Sequence, residues 1–521
     1  TFFICVLNPN PMVQQPQFFR PLWTCGRYNA KADTAIMYNL IEGQSYFFES
    51  HSARVINEIL SVARYDELHV ETISAHTGIA VESILDFMQT LVGAGLVCTK
   101  RMTAEERRDF QRKQGKIAIE QVAQRKFTST GQVDFSTAEE AYANSLDVNT
   151  CIPSVMLELT YNCSEKCIHC YNAGATRNDC EVSKRNRDEL ILEDYKRIID
   201  ELYELGTYRV CLTGGDPFSK SIAWDIIDYL YQKNIAFDIF TNGQSITDKV
   251  DKFLYYFPRF VGLSVYSGIP EIHDRITRTK GSFFKTLSVA EQLSHYGIPL
   301  AFKCVVFKTN VKSYHTVKEL ARRYGAVLQL EMNLCNGVDG DTSITNHLRL
   351  PKEVLEVLLR DPDGPMYKDM NRNNSGREAK PLSAHPCKAG FGNLNITPDG
   401  MVTPCCTFPL SLGNVKTQSL KEILAGEAIH RWRETTIADI EECGRHPKCE
   451  YCYLCCGNNY LEHGTPLKPS KESCYMAEVR YELAQKLERG EDPLHGLSVA
   501  ERLQQMEVEA VGLFSKEIEK H

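Results

Sequence analysis

The chain has 521 residues, 43% hydrophobic and 24% charged, a balance that fits a folded protein of roughly two to four domains and excludes disordered and fibrous classes. A formal charge of −8 argues against coating nucleic acid. No apolar stretch approaches the ~18 residues a membrane span needs, so neither nucleic acid nor membrane is an expected partner.

The opening TFFICVLNPNPM has a short apolar run with no basic lead, so no signal peptide is expected and a cytoplasmic location is. The first residue is not Met, and the natural start is expected upstream. Residues 1–30 read as an extension. Residues 31–100 read as a compact winged-helix-like unit. Two short strands (IMYNLIEG, QSYFFES) meet at a Gly turn. A helix with Val55, Ile56, Ile59, Leu60 and Val62 at helical spacing follows, then helix, turn, helix and a closing strand. This unit holds four basic and nine acidic side chains, a net of −5 that would repel phosphates. Residues 101–150 read as a bridge, first charged and helix-prone, then polar and irregular over FTSTGQVDFST.

From residue 151 to 340 the pattern changes to alternating strand and helix, which means a parallel sheet. The strand runs are VMLELTY, RVCLTGG, AFDIFTNG, VGLSVYS, LAFKCVVF and VLQLEMNL. Six such strands fit an α/β fold, a partial (β/α)6 barrel. Polar residues gather at the strand C-terminal ends: Gly214, Gly215 and Asp216; Thr241, Asn242 and Gly243; Ser264 and Tyr266; Lys308 and Asn310. In α/β barrels that edge carries the active site. Residues 341–385 form a polar connector, loosest at DPDGPMYKDMNRNNSG. Residues 386–475 are cysteine-rich, and 476–521 form a charged helical tail.

Cysteine is the informative residue. There are 20, nine of them between Cys387 and Cys474. Disulfide scaffolds are short secreted chains; in a long chain without a secretion signal, clustered thiols point to metal. Cys163, Cys167 and Cys170 are spaced C-x3-C-x2-C directly after the first strand of the series. A [4Fe–4S] cube usually takes four thiolates, so three leave one iron open. Zinc prefers four closed ligands, often as paired C-x2-C, and a lone trio suits it poorly.

In this position the trio resembles the signature of the radical S-adenosylmethionine (SAM) superfamily. The resemblance covers about residues 155–335. It implies that the three cysteines hold a cluster whose open iron is chelated by SAM. Reductive cleavage then yields a 5′-deoxyadenosyl radical that abstracts hydrogen from the substrate. LTGGDP at 212–217 resembles the family's G-G-E-P-like motif, with Asp216 for the usual Glu. The resemblance implies SAM contacts at Gly214, Gly215 and Asp216, largely through main chain, at Asn242 in TNG, and at Ser264 near the SAM carboxylate or ribose. His169 falls where the family often has an aromatic side chain near adenine.

Cys387, Gly400 and Cys405, with LGNVKTQSLKEIL, resemble the SPASM domain, an auxiliary-cluster domain of radical SAM enzymes that act on peptides. Cys449 and Cys452 match the first pair of its C-x2-C-x5-C-x3-C pattern. The rest departs, giving the adjacent Cys455 and Cys456. The resemblance implies one or two auxiliary [4Fe–4S] clusters on Cys387, Cys405, Cys443, Cys449, Cys452, Cys456 and Cys474, with Cys455 a substitute for Cys456. In the sulfatase-maturing branch an Asp acting as base follows the second cysteine of the first motif; here that position is Cys406. Its thiol could donate a hydrogen atom, bond a cluster, or be a small buried hydrophobe. Cys211 and Cys304, within strands, read as core, and Cys335, after the sixth strand, is ambiguous.

The N-terminal unit is similar to the small PqqD-like domains that recognise precursor peptides, and a peptide leader could add a strand to its sheet edge. The function implied is therefore modification of a ribosomal precursor peptide by crosslink, thioether or epimer formation. The expected electron donor is a flavodoxin or ferredoxin. Two alternatives stay open: a formylglycine-generating sulfatase maturase, and a catalytically silent iron–sulfur or peptide-binding scaffold.

Overall fold

The structure, a computed structural model, describes residues 16–103, 105, 106, 108, 109, 111–113, 136–172, 188–364, 381–443 and 447–508. In the N-terminal unit, β1 (Phe18–Phe19) precedes a meander of β2 (Thr24–Asn29), β3 (Thr34–Asn39) and β4 (Gln44–Glu49), paired antiparallel in that order. Helix Ser50–Ser61 follows, burying Ala53, Val55, Ile56, Ile59 and Leu60 on one stripe. Then come β5 (Glu67–Leu68), which pairs with β1, and helices Val70–Thr77 and Val81–Gly93. All six residues of β3 are buried because both faces of the sheet are covered. Ala35 and Met37 pack with the helices, Ile36 and Tyr38 with Tyr142, Leu146 and Tyr208.

Two expectations change here. The unit takes in β1 and β2, so it starts upstream of residue 31. The closing strand reduces to a single bridge between Phe19 and Cys98. Most of the 101–150 bridge lies outside the described residues. Its end is helix Ser136–Ser145, where the irregular segment was expected to have just finished.

The core is a run of six parallel strands: β6 (Ser154–Glu158), β7 (Arg209–Thr213), β8 (Ala236–Thr241), β9 (Phe260–Ser264), β10 (Leu300–Val305) and β11 (Val327–Glu331). Each pairs in parallel with the next in sequence, the neighbouring arrangement that short βα connections favour. The barrel stays open, and its free edge at β6 is taken by the cysteine-rich region. There β12 (Asn393–Ile396) runs parallel to β6, with Leu394 opposite Val155 and Ile396 opposite Leu157. β13 (Met401–Thr403) and β14 (Gly413–Asn414) extend the sheet to nine strands.

The connector is more ordered than expected, with helices Ser343–Leu348 and Lys352–Leu358, while most of DPDGPMYKDMNRNNSG lies outside the described residues. The described part of the tail holds two helices, Lys471–Glu488 and Val499–Gln505. Helix Lys471–Glu488 begins inside the cysteine-rich region, and Met476, Val479 and Leu483 join Val354, Leu355 and Leu358 in the main core. No helix among the described residues is long and apolar enough to cross a membrane.

Candidate metal centre

The three cysteines lie on the loop after β6, at the C-terminal mouth of the barrel. Burial pushes the Cys163 thiol up to about 12 and the Cys170 thiol up to about 11, and lifts Cys167 further, each sulfur feeling the negative charge of its neighbours. Without a cation these groups stay protonated; a bound cluster would be needed to hold them as thiolates. The local bonds hold the loop open. Glu165 N–H donates to Cys163 Sγ at 3.4 Å, Asn242 Nδ2 donates to the same sulfur at 3.4 Å, and Cys167 Sγ donates to Glu165 Oε2 at 3.6 Å. Asn242 therefore sits beside the trio.

Gly214 and Gly215 have a steric reason to be glycine. Gly214 has φ +132°, and a Cβ there would lie 2.5 Å from Thr160 O; one on Gly215 would lie 2.3 Å from Asn162 O. The amides of this segment are spent on the cysteine loop, Gly215 N–H to Thr160 O at 2.7 Å and Asp216 N–H to Asn162 O at 2.8 Å. The motif thus clamps the loop through its N–H groups. What it offers a ligand is the Asp216 side chain. This carboxylate is fully buried; its Oδ1 accepts from Thr241 Oγ1 at 2.6 Å and its Oδ2 has no partner. Burial raises it to about 6 against the pull of the Thr241 hydroxyl, the Phe218 amide and the Ser245 hydroxyl.

His169 packs edge-on to Tyr266 at 4.5 Å and tilted to Phe307 at 5.0 Å. Burial lowers it to about 4, so it is a neutral ring, and its Nδ1 has no partner. Ser264 ends β9 in register with Lys303 on β10. The sequence reading passed over four residues here. Glu165, inside the motif, is buried, raised to about 8 by desolvation, and has an unpartnered Oε1. Tyr171 follows Cys170 and its hydroxyl meets Cys406. Glu158, the last residue of β6, is raised to about 8 by burial and lies within electrostatic reach of Cys405. Lys303 Nζ sits 3.5 Å over the Phe240 ring inside the barrel. The available signals were charges in apolar strands, LELTY and LAFKCV.

The remaining cysteines fall into two groups. Cys443, Cys449, Cys452 and Cys474 are mutually within electrostatic reach and form the outer one. Cys387, Cys405 and Cys455 form the inner one. Cys405 Sγ is 4.0 Å from Cys406 Sγ; that thiol holds Cys405 down at about 6, while Cys406 is pushed well up and reaches Tyr171. Cys456 is fully buried against Cys387. None of the described cysteines is in a disulfide.

A profile described as the Radical SAM superfamily matches residues 157–321, and one described as an iron–sulfur cluster-binding domain, SPASM, matches 387–456. The chain thus carries a radical SAM domain followed by a SPASM domain. Among curated relatives, it is 28% identical over 313 residues to the antilisterial bacteriocin subtilosin biosynthesis protein AlbA of Bacillus subtilis, a match covering 58% of this chain and 66% of AlbA, just under two thirds of that protein. It is 26% identical over 321 residues to the AdoMet-dependent heme synthase of Methanosarcina barkeri, covering 58% of this chain and 89% of the synthase. The fold matches that of Streptococcus suis SuiB bound to its precursor peptide SuiA, with a TM-score of 0.52 at 13% identity over 88% of this chain and 99% of SuiB.

The residues present fit the radical SAM cofactors. Three half-buried thiols, with no fourth on the described part of the same loop, suit a cube with one open iron. Beside them Asp216 Oδ2 is a buried acceptor lacking a donor, as an ammonium group would supply, and the His169–Tyr266–Phe307 wall offers aromatic faces for a purine. The SPASM domain supplies two further thiol groups.

Proposed function

We propose that this chain is a radical SAM enzyme that modifies a ribosomally made precursor peptide, forming a crosslink, a thioether or an epimer. Cys163, Cys167 and Cys170 would hold the SAM-binding [4Fe–4S] cluster. Gly214, Gly215, Asp216, Asn242, Ser264 and His169 would line the SAM site, and the SPASM thiols would hold auxiliary clusters. Bound there, the cluster and SAM supply a 5′-deoxyadenosyl radical for hydrogen abstraction. The chain's own residues orient and shield that chemistry. Asp216 offers its spare oxygen to the amino group, the GGD segment fixes the cysteine loop, and the aromatic wall excludes water.

The observation that carries the peptide reading is the three-stranded N-terminal sheet, which ends at β4 among the described strands. β2 is tied to the barrel through Gly26 N–H and Asn234 O at 3.2 Å, whereas β4, among the described residues, pairs with β3 alone. An extended leader can add a strand there, and the acidic unit suits a basic leader. The similarity to AlbA, a bacteriocin biosynthesis protein, and to the SuiB fold supports this reading. Cys406 in place of the Asp of sulfatase maturases disfavours formylglycine formation. A low-potential flavodoxin or ferredoxin in the cytoplasm fits as electron donor.

The similarity to a heme synthase favours a second reading, a small-molecule substrate. One assay separates them. Anaerobically reconstituted, dithionite-reduced protein is given SAM with and without the short peptides encoded beside its gene, and 5′-deoxyadenosine and peptide mass are followed. The proposal expects deoxyadenosine and a mass change in one peptide. Cluster-loaded protein that makes no deoxyadenosine is not this enzyme. Deoxyadenosine with every peptide unchanged favours the small-molecule reading.

A further inference from the structure

Alternation along the barrel strands sends a lysine into the lumen. On β10, Phe302 and Cys304 belong to the main core, as do Phe237 and Ile239 on β8 and Val261 and Leu263 on β9. The residues between and beside them, Asp238, Phe240, Gly262, Ser264 and Lys303, turn to the other face. Lys303 lies in register with Ser264, one strand over. Its Nζ stands 3.5 Å from the centre of the Phe240 ring. Gly262, the register partner of Phe240, makes that meeting possible. A Cβ there would fall 2.9 Å from Phe240 Cδ1 and 3.2 Å from Lys303 Cδ. The glycine on β9 thus clears the gap between a ring on β8 and an ammonium on β10.

The ammonium has a cushion and no anion. Among the described residues, Lys303 makes no ion pair and no hydrogen bond through its side chain. Burial lowers its pKa against the pull of Cys211, Cys406, Asp238 and Glu331. Both of those carboxylates are engaged elsewhere. Asp238 Oδ1 accepts from Arg259 Nε at 2.7 Å. Glu331 Oε1 accepts the N–H groups of Met332 and Asn333, each at 2.8 Å, and Asn333 Nδ2 at 2.9 Å. A cation inside a protein is ordinarily paired, and an aromatic face supplies only part of what an anion would. The place of the missing anion is also fixed. Asn242, two residues beyond Phe240 on the same strand, reaches Cys163 Sγ at 3.4 Å, so the lysine lies close below the thiol trio, on the wall that the substrate must meet.

We propose that Lys303 is a specificity-determining residue that takes a carboxylate of the precursor peptide, from an aspartate or glutamate side chain or from the C-terminus, and so sets which residue of the peptide faces the radical. The inference rests on the peptide reading and deepens it by naming a group the substrate must carry. A charge-assisted hydrogen bond on a half-dry barrel wall gives the carboxylate both affinity and position.

The test uses the cluster-loaded full chain and the peptide it modifies. Iron content and SAM affinity are measured first, then KM and kcat from peptide mass, for wild type, Lys303→Met and Lys303→Arg. Lys303→Met should keep iron and SAM affinity and raise KM about tenfold or more, with a smaller change in kcat. Lys303→Arg, which keeps the charge, should recover most of that loss. On the peptide side, each aspartate is changed to asparagine, each glutamate to glutamine, and the C-terminus to an amide. One of these changes should raise KM for wild type to the same extent and have little further effect with Lys303→Met; which one does so tells a side chain from the terminus. These peptide arms run on wild-type enzyme and decide the matter even if Lys303→Met fails to load iron. The proposal is overturned if Lys303→Met keeps the wild-type KM, if no single loss of a carboxylate raises KM for wild type, or if the losses from enzyme and peptide add in full. It is also overturned if Lys303→Met loads iron but binds SAM tenfold more weakly, because the ammonium then serves the SAM carboxylate. A wild type that modifies a peptide while these arms fail overturns the proposal alone; one that modifies no peptide overturns the peptide reading with it.

Discussion

Asp216 shows how much one buried atom can direct. Its carboxylate is placed by the Thr241 hydroxyl and left half unsatisfied next to the thiol trio, an arrangement that costs stability unless a donor arrives. Asp216→Asn should therefore keep its iron yet bind SAM about tenfold or more weakly, a loss of about 1.4 kcal/mol. Equilibrium dialysis with labelled SAM and the SAM-induced change in the cluster EPR signal check this. Equal SAM affinity in the variant would remove Asp216 from the site. A second residue reads out in pH. His273 is fully buried, accepts the Tyr266 N–H at Nδ1 at 3.3 Å, and is lowered to about 4 by burial against the pull of Asp274. The folded state takes up this proton later than the unfolded one, so the stability is present above the unfolded pKa of about 6.5 and is lost as pH falls through the folded value near 4. The full loss is about 3 kcal/mol. Denaturant melts between pH 7 and 4.5 should slope less steeply for His273→Gln than for wild type. At this scale the trio and the double glycine were legible because spacing and position are sequence properties. Glu165 and Tyr171 were not, because their surroundings come from distant loops, Asp216 and Asp274 for Glu165 and Cys406 for Tyr171.

Helix Ser136–Ser145 carries more than its sequence announces. It covers the bottom of the barrel and sends Glu139 into a buried cluster. There Tyr38 donates to Glu139 Oε1 at 2.7 Å, Arg209 Nη1 to Oε2 at 3.1 Å, and Arg259 bridges Glu139 to Asp238, donating from Nε to Asp238 Oδ1 at 2.7 Å. These groups come from the N-terminal sheet, the helix and three barrel strands or strand starts, so the network locks the N-terminal unit onto the barrel. Removing one partner of such a network leaves charge buried without compensation, a cost of about 3–5 kcal/mol. Glu139→Ala should lower the thermal midpoint of cluster-loaded protein by several degrees and loosen the N-terminal unit to limited proteolysis, whereas exposed Glu140→Ala should do neither. The six barrel strands were readable because buried parallel strands are apolar runs between turn residues. This helix was half-missed because STAEEAYANS is weakly amphipathic, and its anchoring contacts are ionic rather than periodic.

The sheet runs unbroken through the radical SAM core and the SPASM domain, and this sets how the whole molecule should come apart. β6 is the first barrel strand, yet it is internal to the sheet because β12, over 230 residues later, pairs along it from Ser154 to Leu157. Short, polar-alternating NLNI gives no hint of that partner, so the sequence reading left the two regions as separate domains. The tail adds a second seam. Arg480, buried on helix Lys471–Glu488, donates to Tyr451 O at 3.1 Å beside the outer cysteine group, while Met476, Val479 and Leu483 fill the main core. A chain ending at residue 380 would expose the apolar edge of β6 and the faces of helix Lys352–Leu358 that the tail helices cover. An open edge of that kind templates aggregation. The truncated chain should therefore be recovered mainly as aggregate. The full chain should unfold through the barrel and SPASM domain in one cooperative transition, with hydrogen-exchange protection in β12 matching that in β6. A soluble, SAM-binding fragment ending at residue 380, or protection lost from β12 well before β6, would show that the nine strands are two independent units.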